Sequence, residues 1–314
     1  MKLSKLIPFC FLFILIIGCK KDDSSVNDGF SFSNLFSKDR VLEQELIKEG
    51  LIYFYKNEPF NGIAFGMYDA NKIKFEKAFI DGKEEGLQRH WYGNGQIRSE
   101  EFVKNERPDG KYKTWFENGQ LEVETNYVNN NINGTYESFY ENGQQESESK
   151  YEIIEERDLV PAVTSEGKET FIDQGKKTSS IEIGKSITWY KNGQLNTERN
   201  YVKGNPIGLQ IAWRENGTVY EKLNLKKGEK IDYWRRWYQN GQLAFERIGE
   251  MKTNKNTTKF SEKEWWDNGA LKSETINIGN SFIIKHYSQQ GIMERVADTI
   301  NSSTSLYKSF VMDN

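Results

Sequence analysis

The chain has 314 residues, of which 28% are charged and 14% aromatic, and its formal net charge is −3. This mild acidity argues against a nucleic-acid partner, because phosphate binding requires a basic surface. The two cysteines and two histidines are too few for a disulfide framework or a histidine-rich metal cluster, so no metal and no cofactor are expected.

The chain begins with a predicted leader, residues 1–18. Lys2 and Lys5 precede a continuous apolar stretch from Leu6 to Ile17, which is too short to span a bilayer as a mature helix. The stretch ends in Ile-Ile-Gly-Cys, which resembles the lipobox of bacterial lipoproteins. That resemblance implies lipidation of Cys19, which becomes the new N-terminus. The alternative is an ordinary secretory signal that contains a cysteine.

Residues 19–48 are predicted to form a flexible tether followed by an N-terminal cap. Lys20-Lys21-Asp22-Asp23 resembles the export signal of surface lipoproteins in Bacteroidetes-type bacteria. The alternative is a plain solvated linker, since Asp22 to Ser33 is rich in Ser, Asp, Asn and Gly. We therefore expect an outer-membrane lipoprotein that contacts the membrane through its N-terminal lipid, with exposure at the cell surface as a further expectation.

The middle of the chain, residues 49–296, is an internal repeat. The tip sequences are WYGNGQ at 91–96, WFENGQ at 115–120, FYENGQ at 139–144, WYKNGQ at 189–194 and WYQNGQ at 237–242. The tip asparagines recur at intervals of 24 residues in two runs, 94 to 142 and 192 to 240. A sustained period of this size indicates a repeat architecture. We predict an all-β fold, an elongated antiparallel array of about nine β-hairpins.

Each repeat is predicted to be strand, turn, strand. Asn118-Gly119 is typical of a type I′ turn, which would place Trp115 opposite Glu122 and Phe116 opposite Leu121. Alternation would then put Phe116, Leu121, Val123 and Tyr127 on one face as the core. A single hairpin is marginal in water, so stability is expected to accumulate by stacking hairpins side by side.

Two segments depart from the period. The interval between Asn142 and Asn192 is 50 residues, so 152–180 is either a decayed repeat, which we favour slightly, or an exposed insertion. The tail, 297–314, is predicted to cap the end of the array, with SLYKSFV as a candidate last strand.

A ladder of aromatic residues is predicted on the face opposite the core. Two interpretations are open: burial by coiling of the sheet, which we favour because large aromatics are usually buried, or an open face that binds an extended glycan or peptide. Glutamates accompany the ladder in most repeats. The candidate binding ladder consists of Trp91, Trp115, Trp189, Trp213, Trp237 and Trp265.

The repeat resembles a known family. The pattern G-x4-W-Y-x-N-G-Q-L-x3-E-x2-Y, with PFNG at 59–62 opening the series, is similar to the MORN-repeat variant of bacterial YwqK-type proteins. The resemblance covers roughly residues 49–296 and implies the MORN-like hairpin array. Such proteins are often labelled antitoxins, but that label brings no motif to this chain. The lipobox is also a departure, because neutralising a cytoplasmic toxin requires a cytoplasmic protein.

We predict a non-catalytic, membrane-tethered scaffold that binds an unknown protein or glycan. No catalytic residue is proposed, because a glycosidase needs two carboxylates singled out in a cleft, whereas here most repeats carry one. The alternatives are an immunity or antitoxin-type lipoprotein and, last, an enzyme acting on surface polysaccharide. The basic cluster Trp234-Arg235-Arg236-Trp237 is distinctive and is interpreted either as a stacking site for an acidic or aromatic partner or, preferably, as a solvated strand. The oligomeric state is left open.

Overall fold

A computed structural model describes residues 40–164, 167–226, 230–250, 259–278, 281–299 and 305–308. The predicted leader 1–18, the lipidation residue Cys19 and the tether as far as residue 39 lie outside these ranges. The chain divides into two units, Met1–Ser37 and Lys38–Asn314, and every described element belongs to the second.

The described residues are folded almost entirely as strands, which confirms the all-β prediction. The N-terminal elements are β1 Arg40–Leu42, a 3-10 turn Glu43–Glu45, β2 Ile47–Glu49, β3 Ile52–Tyr55 and β4 Glu58–Pro59. The first half of the array comprises β5 Gly62–Asp69, β6 Lys72–Ile80, β7 Lys83–Trp91, β8 Ile97–Lys104, β9 Arg107–Trp115, β10 Leu121–Val128, β11 Asn131–Ile132, β12 Gly134–Phe139 and β13 Gln145–Val163. The second half comprises β14 Glu169–Trp189, β15 Leu195–Val202, β16 Asn205–Pro206, β17 Gly208–Trp213, β18 Val219–Lys226, β19 Lys230–Trp237, β20 Leu243–Glu250, β21 Lys259–Trp265, β22 Leu271–Ile278, β23 Ser281–Tyr287, β24 Met293–Thr299 and β25 Ser305–Lys308.

The array is one 22-stranded sheet in which neighbours in sequence are neighbours in space. Successive hairpins pair antiparallel from β5 to β25, while β1 adds to the first edge in parallel with β5. Strands β2, β3 and β4 form a separate three-stranded sheet. Since every hairpin pairs with the next one, the architecture is the antiparallel repeat array that the period predicts.

The hairpin tips differ from the prediction of a type I′ turn. Gly119 has φ +85°, but Asn118 is not among the residues with positive φ, and the Gly119 N–H donates to the Phe116 carbonyl. The loop is therefore three residues long and ends in a glycine in the left-handed region, the arrangement of a type I turn with a G1 bulge. The predicted register is wrong as a result: Trp115 pairs with Leu121, not Glu122.

Type I′ geometry is found instead at the opposite ends of the hairpins, which we call the base side. Asn105 and Glu106 have φ +49° and +62°, and Asn129 and Asn130 have φ +48° and +66°. Two consecutive positive φ values are what a two-residue type I′ hairpin requires. The Asn-Gly pairs are not used this way because each tip asparagine has a different task, which its hydrogen bonds reveal.

Each tip is hydrogen-bonded to the next tip along the array. The Asn94 Oδ1 accepts from the Gln96 N–H at 2.9 Å, while its Nδ2 donates to the Glu117 carbonyl at 2.9 Å. The Tyr92 hydroxyl donates to the Trp115 carbonyl at 2.8 Å. The same asparagine bond to a neighbouring tip recurs at Asn118, Asn142, Asn192, Asn240 and Asn268. The tip sequence therefore repeats because it links repeats, in addition to reversing the chain.

The base side is linked in the same way. The Asn130 N–H donates to the Pro108 carbonyl at 2.8 Å, and the Gly204 N–H donates to the Glu182 carbonyl at 3.0 Å. Each of these bonds joins a base turn to the start of the preceding hairpin. The backbone polar groups of the turns are thereby satisfied between repeats, as buried or half-buried polar groups must be.

The hydrophobic core lies at the N-terminal end. Phe79 and Ala64 are fully buried, Phe60 is nearly so, and Tyr53 of β3 stands edge-on to Phe79 with ring centroids 5.1 Å apart. The small sheet and β1 thus cover the first strands of the array, which would otherwise present an open edge. Residues 40–48, predicted as part of a cap, supply Val41 and Leu46 to this cluster.

Along the rest of the array, the face opposite the tryptophans carries small polar side chains, and we call it the hydroxyl face. Its most buried residues include Thr125, Ser138, Ser149 and Ser186. The predicted core set is only partly right, because Val123 lies on this face whereas Leu121 shares the face of Trp115. The cause is the register shift between Leu121 and Val123: the three-residue loop places Leu121 opposite Trp115, and the shift then returns Val123 to its predicted partner Thr114.

The described residues between 152 and 180 form the outer part of one long hairpin made by β13 and β14, near whose end the Thr164 N–H donates to the Lys168 carbonyl. We call residues 153–180 the arm. Asn131 contacts its base through a 3.0 Å bond to Thr178, and its outer residues are mostly exposed. Leu159 and Phe171, near its end, are 49% and 65% exposed. Within the tail predicted as a cap, Ser305–Lys308 pairs with β24 as a last strand.

Candidate ligand-binding surface

The six predicted ladder tryptophans occupy equivalent positions, each at the end of the strand that leads into a tip. Trp115 pairs with Leu121, Trp189 with Leu195 and Trp237 with Leu243. We call the side of the sheet that carries them the tryptophan face. All six side chains are partly buried. The rings are neither core residues nor fully exposed, so their burial alone does not decide between the two interpretations of the ladder.

The partial burial follows from the spacing of the ladder. Successive tryptophans are separated by one intervening strand, about 9.5 Å for two strand spacings. That gap is too wide for ring-to-ring contact, which needs centroids about 4.5–7 Å apart. Each tryptophan pairs across its hairpin with an apolar residue, and its side chain stays partly exposed. These partners are Ile97, Leu121, Leu195, Val219, Leu243 and Leu271. The face therefore presents regularly spaced apolar strips to solvent.

The glutamates beside the ladder are held in ion pairs on the same face. Glu100 accepts from Arg89 at 2.8 Å, and Glu124 accepts from Lys113 at 2.8 Å. In each pair the cation lies two residues before the tryptophan. Such half-exposed pairs contribute little to stability, about 0–1 kcal/mol each. Their consequence for binding is that the carboxylates are neutralised, so the face combines aromatic rings with balanced charge.

A cavity opens beside one rung of the ladder. It has a volume of about 360 Å³ and is lined by Trp213, Leu195 and the tip residues 192–194, together with Gly217. The size is at the lower end of the range for small-molecule sites. An aromatic ring next to backbone and amide groups of a tip is a suitable surface for a sugar ring or for a peptide segment.

The hydroxyl face is held together by side-chain hydrogen bonds across strands. Ser138 and Ser147 are 2.8 Å apart, Thr188 and Thr197 are 2.7 Å apart, and Ser149 bonds Ser186 at 2.8 Å. Burial raises the pKa of the neighbouring phenols, so they stay protonated and neutral. These phenols are Tyr112, Tyr127, Tyr136 and Tyr151. The hydroxyl face therefore consists of neutral, hydrogen-bonded side chains that join neighbouring strands.

Two ionisable groups on the hydroxyl face have shifted acidities. Burial, followed by the charge of nearby Lys77, lowers the pKa of His90, which favours the neutral imidazole. Burial, followed by repulsion from Glu84, raises the pKa of the Glu101 carboxyl. Both groups are therefore less able to carry charge in the folded chain than in the unfolded chain.

Replacing Glu101 with glutamine is expected to stabilise the protein near neutral pH. Because the folded-state pKa of Glu101 is raised, its stabilising contribution is present below the unfolded pKa and is lost as the pH rises through the folded value. The gain from Glu101→Gln should therefore be seen at about pH 7 and vanish at about pH 4. Urea unfolding at both pH values measures it.

Glu100→Gln is the matched control, because it removes a neighbouring carboxylate that is ion-paired with Arg89. It should give no gain at either pH. An equal gain from both variants would show that general acidity of the surface, and not the burial of Glu101, sets the effect.

The basic cluster singled out in the sequence is divided between the two faces. Arg235 lies on the tryptophan face and donates to Glu246 at 2.7 Å. Arg236 lies on the hydroxyl face, with its Cζ 4.8 Å from the ring centroids of both Trp234 and Phe245. The simple alternation of a strand explains the division. Only Arg235 behaves as the ion-paired strand residue that the sequence favoured.

Two further kinds of site were sought among the described residues. Within the ranges described above, no three His, Cys, Asp or Glu side chains gather in a way that could hold a metal ion. In the same ranges, no helix has the length and apolar character needed to cross a bilayer.

The sequence comparison identifies the repeat unit. The family model of the MORN repeat variant matches residues 84–105, 108–129, 132–152 and 182–203. Each matched segment contains one hairpin tip with adjoining parts of its two strands, centred on Asn94, Asn118, Asn142 or Asn192. Four hairpins of the sheet are therefore similar to the MORN repeat variant. Outside the matched segments, the hairpins around Asn240 and Asn268 keep the MORN tip bonds.

No curated protein matches the chain. Among solved structures, the crystal structures of TcdB2-TccC3-Cdc42 and of TcdB2-TccC3 each align at 12% sequence identity. They cover 80% and 76% of this chain, but the chain spans only 15% and 16% of the chains it matches. The TM-scores are 0.14 and 0.15, too low to carry a structural argument. The MORN repeats are thus the informative similarity.

Proposed function

We propose that the protein is a non-catalytic binding scaffold, tethered to the bacterial outer membrane through lipid on Cys19, whose MORN repeats bind an extended protein or glycan. The observation that carries this proposal is the tryptophan face. It repeats a partly exposed ring, and beside all of the six tryptophans except Trp213 it carries an ion-paired glutamate. Such repetition favours multivalent contact with a repetitive or extended ligand. A single catalytic centre has no use for an equivalent set of groups in every repeat.

The scaffold proposal is tested by screening peptide and cell-envelope glycan arrays with the soluble chain that starts at Lys20. The ladder variant Trp189→Ala/Trp213→Ala should lose binding to any array hit by roughly tenfold or more, as expected when aromatic anchors are truncated. The control is Tyr136→Phe, which alters the opposite face. Hits that bind the ladder variant and the parent protein equally would rule out the tryptophan face as the binding surface.

Membrane tethering is tested separately with Cys19→Ser. The parent protein should fractionate with membranes, whereas the variant should be found in the soluble fraction of the cell envelope, because the thiol that accepts the lipid is missing. Cys10→Ser, which alters the only other cysteine and lies inside the predicted leader, is the control and should remain with the membrane. Membrane association of Cys19→Ser equal to that of the parent would contradict lipid anchoring at this residue.

The second candidate function is an immunity or antitoxin-type lipoprotein with a single tight partner. The arm favours it, because the arm departs from the repeat and exposes Val163 by 69% and Ile172 by 56% near its end. Exposed apolar side chains grouped in this way are typical of protein interaction sites. Shortening the arm between residues 154 and 179 to a two-residue turn should leave the array folded. It should abolish binding of a toxin-like partner and spare binding to the tryptophan face.

A further inference from the structure

Several hairpins depart from the small polar pattern of the hydroxyl face, and one of them does so with an arginine and a phenylalanine. Position 236 is equivalent to the position that Thr114, Ser138 and Thr188 occupy in other repeats, and position 245 is equivalent to that of Ser147 and Thr197. In this hairpin the two positions hold an arginine and a phenylalanine, which face each other across β19 and β20. Among the departures at these two positions, this hairpin is the one that places an arginine against a phenylalanine.

The next change in the same hairpin opens a cavity. Ala244 occupies the position at which the other repeats place longer side chains, namely Arg98, Glu122, Glu146, Asn196, Tyr220 and Lys272. A cavity of about 320 Å³ lies over Ala244, with Arg236 and Phe245 in its wall. Arg214, Tyr220, Tyr238 and Lys272 complete the lining together with Trp237, Gln239, Glu264 and Trp265. We call this cavity the basic pocket.

The charges of the basic pocket are not balanced. Lys272 is paired with Glu264 at 3.3 Å. Arg214 donates to the carbonyl oxygens of Val219 and Trp237, and its guanidinium lies 5.0 Å from the ring centroid of Tyr220. Two cations, Arg214 and Arg236, therefore face a pocket whose one lining carboxylate is already taken by Lys272.

Arg236 is the group of the pocket that is best placed to bind an anion. The rings of Trp234 and Phe245 hold its guanidinium, and its Nε is buried without a hydrogen-bond acceptor in the described structure. Glu221, which faces it in the register, accepts instead from the Trp234 indole N–H at 2.6 Å. A guanidinium with no carboxylate partner, fixed in place by aromatic rings, is preorganised for an anion that accepts two parallel hydrogen bonds.

We propose that the basic pocket binds one acidic sugar residue of a glycan, with the carboxylate on Arg236 and the ring against Tyr220 and Phe245. The volume is suited to a single sugar ring and excludes a folded protein segment. Aromatic walls with a few fixed polar groups are the usual construction of a small-ligand site. The pocket is lined by Arg236 and Phe245 of the hydroxyl face and also by Trp237 and Trp265, but not by Trp189 or Trp213, the two rings that the scaffold test removes. The proposal therefore rests on the scaffold function only in that the ligand is a glycan.

The test uses the soluble chain from Lys20 and a pair of oligosaccharides that differ in one group. One ends in glucuronate, and in the other the carboxylate is reduced to the alcohol of glucose. Calorimetric titration should show binding of the acidic sugar at least tenfold tighter than that of the neutral one, as loss of a charge-assisted bidentate contact requires. Preference for neither sugar would overturn the assignment.

Three variants locate the site. Arg236→Thr introduces the residue of two other repeats, and Ala244→Tyr introduces the residue of position 220, which fills the cavity without adding charge. Both should reduce binding of the acidic sugar at least tenfold, and Ala244→Tyr keeps the test valid if Arg236→Thr fails to fold. Arg235→Ala, with the same change of net charge on the other face, should bind like the parent.

The remaining outcomes are equally decisive. Equal losses of affinity for the acidic sugar in Arg235→Ala and Arg236→Thr would show general electrostatic attraction and would overturn the assignment of the site to the basic pocket. Competition by inorganic phosphate or by an acidic peptide as effective as the sugar itself would refute the assignment to a sugar. The acidic sugar could fail to bind while array ligands still require the tryptophan ladder. That result would refute the proposed sugar site and would leave the scaffold function unaffected.

Discussion

Replacing Phe79 with alanine is expected to lower the free energy of unfolding by about 3–5 kcal/mol. Phe79 is fully buried, and its ring lies 5.1 Å from that of Tyr53 and 5.5 Å from that of Phe60. The rest of the array is a single sheet with few buried apolar side chains among the described residues. The N-terminal cluster around Phe79 therefore supplies a large part of the hydrophobic stabilisation, and a cavity at its centre is costly.

Urea unfolding of the soluble chain, followed by circular dichroism, measures this loss. Phe171→Ala is the matched control, because Phe171 is 65% exposed on the arm and its truncation should change stability by less than about 0.5 kcal/mol. If Phe79→Ala lost no more than Phe171→Ala, the N-terminal cluster would not be the principal core.

Replacing Gly119 with alanine is expected to cost about 1–2 kcal/mol, because its φ of +85° is unfavourable for any residue with a Cβ. An added Cβ would also stand 2.7 Å from the Gln96 Oε1, so the glutamine of the preceding tip would have to move. The same glutamine-to-glycine contact recurs at Gly143, Gly193, Gly217 and Gly269. One tip therefore affects its neighbour.

Gly93→Ala provides the comparison within the same kind of tip. Gly93 occupies the position of Glu117 and Glu141, its φ is not positive, and nothing lies within 4 Å of an added Cβ. It should be within about 0.5 kcal/mol of the parent. Thermal unfolding measures the stability of both variants. Equal losses of stability would contradict the assignment of Gly119 to the left-handed region. A double variant with Gln96→Ala separates the contact with the neighbouring tip from the cost of the backbone conformation.

Most of the fold could be predicted from the sequence because its period is explicit. The repeated tip, the alternating strands and the base turns with Gly, Asn and Pro determine an antiparallel meander without any distant contact. What failed was the choice between two turn types that both accept Asn-Gly. The bond from Asn94 to the Glu117 carbonyl, which favours the three-residue loop, joins different repeats and has no signal inside one hairpin.

The candidate sites were predictable to different degrees. The tryptophan ladder was evident as a repeated residue, but its partial burial depends on Leu121 lying opposite Trp115, which required the correct register. Only part of the basic pocket could be predicted from the sequence. Arg236 belongs to a basic cluster that the sequence shows directly, whereas Ala244 is distinctive only when equivalent positions are compared across repeats. A small residue indicates a cavity in a repeat protein only when the equivalent positions of the other repeats hold large residues.

The most direct test of the scaffold function is the dependence of affinity on ligand length. Array ligands would be prepared as a series of increasing length and titrated against the soluble chain, its Trp189→Ala variant and its Trp189→Ala/Trp213→Ala variant. The tryptophan face predicts that affinity rises with each added length of about 9.5 Å, the spacing of two strands, and falls stepwise as rings are removed. Affinity that is independent of ligand length and unaffected by the tryptophan variants would contradict a multivalent scaffold.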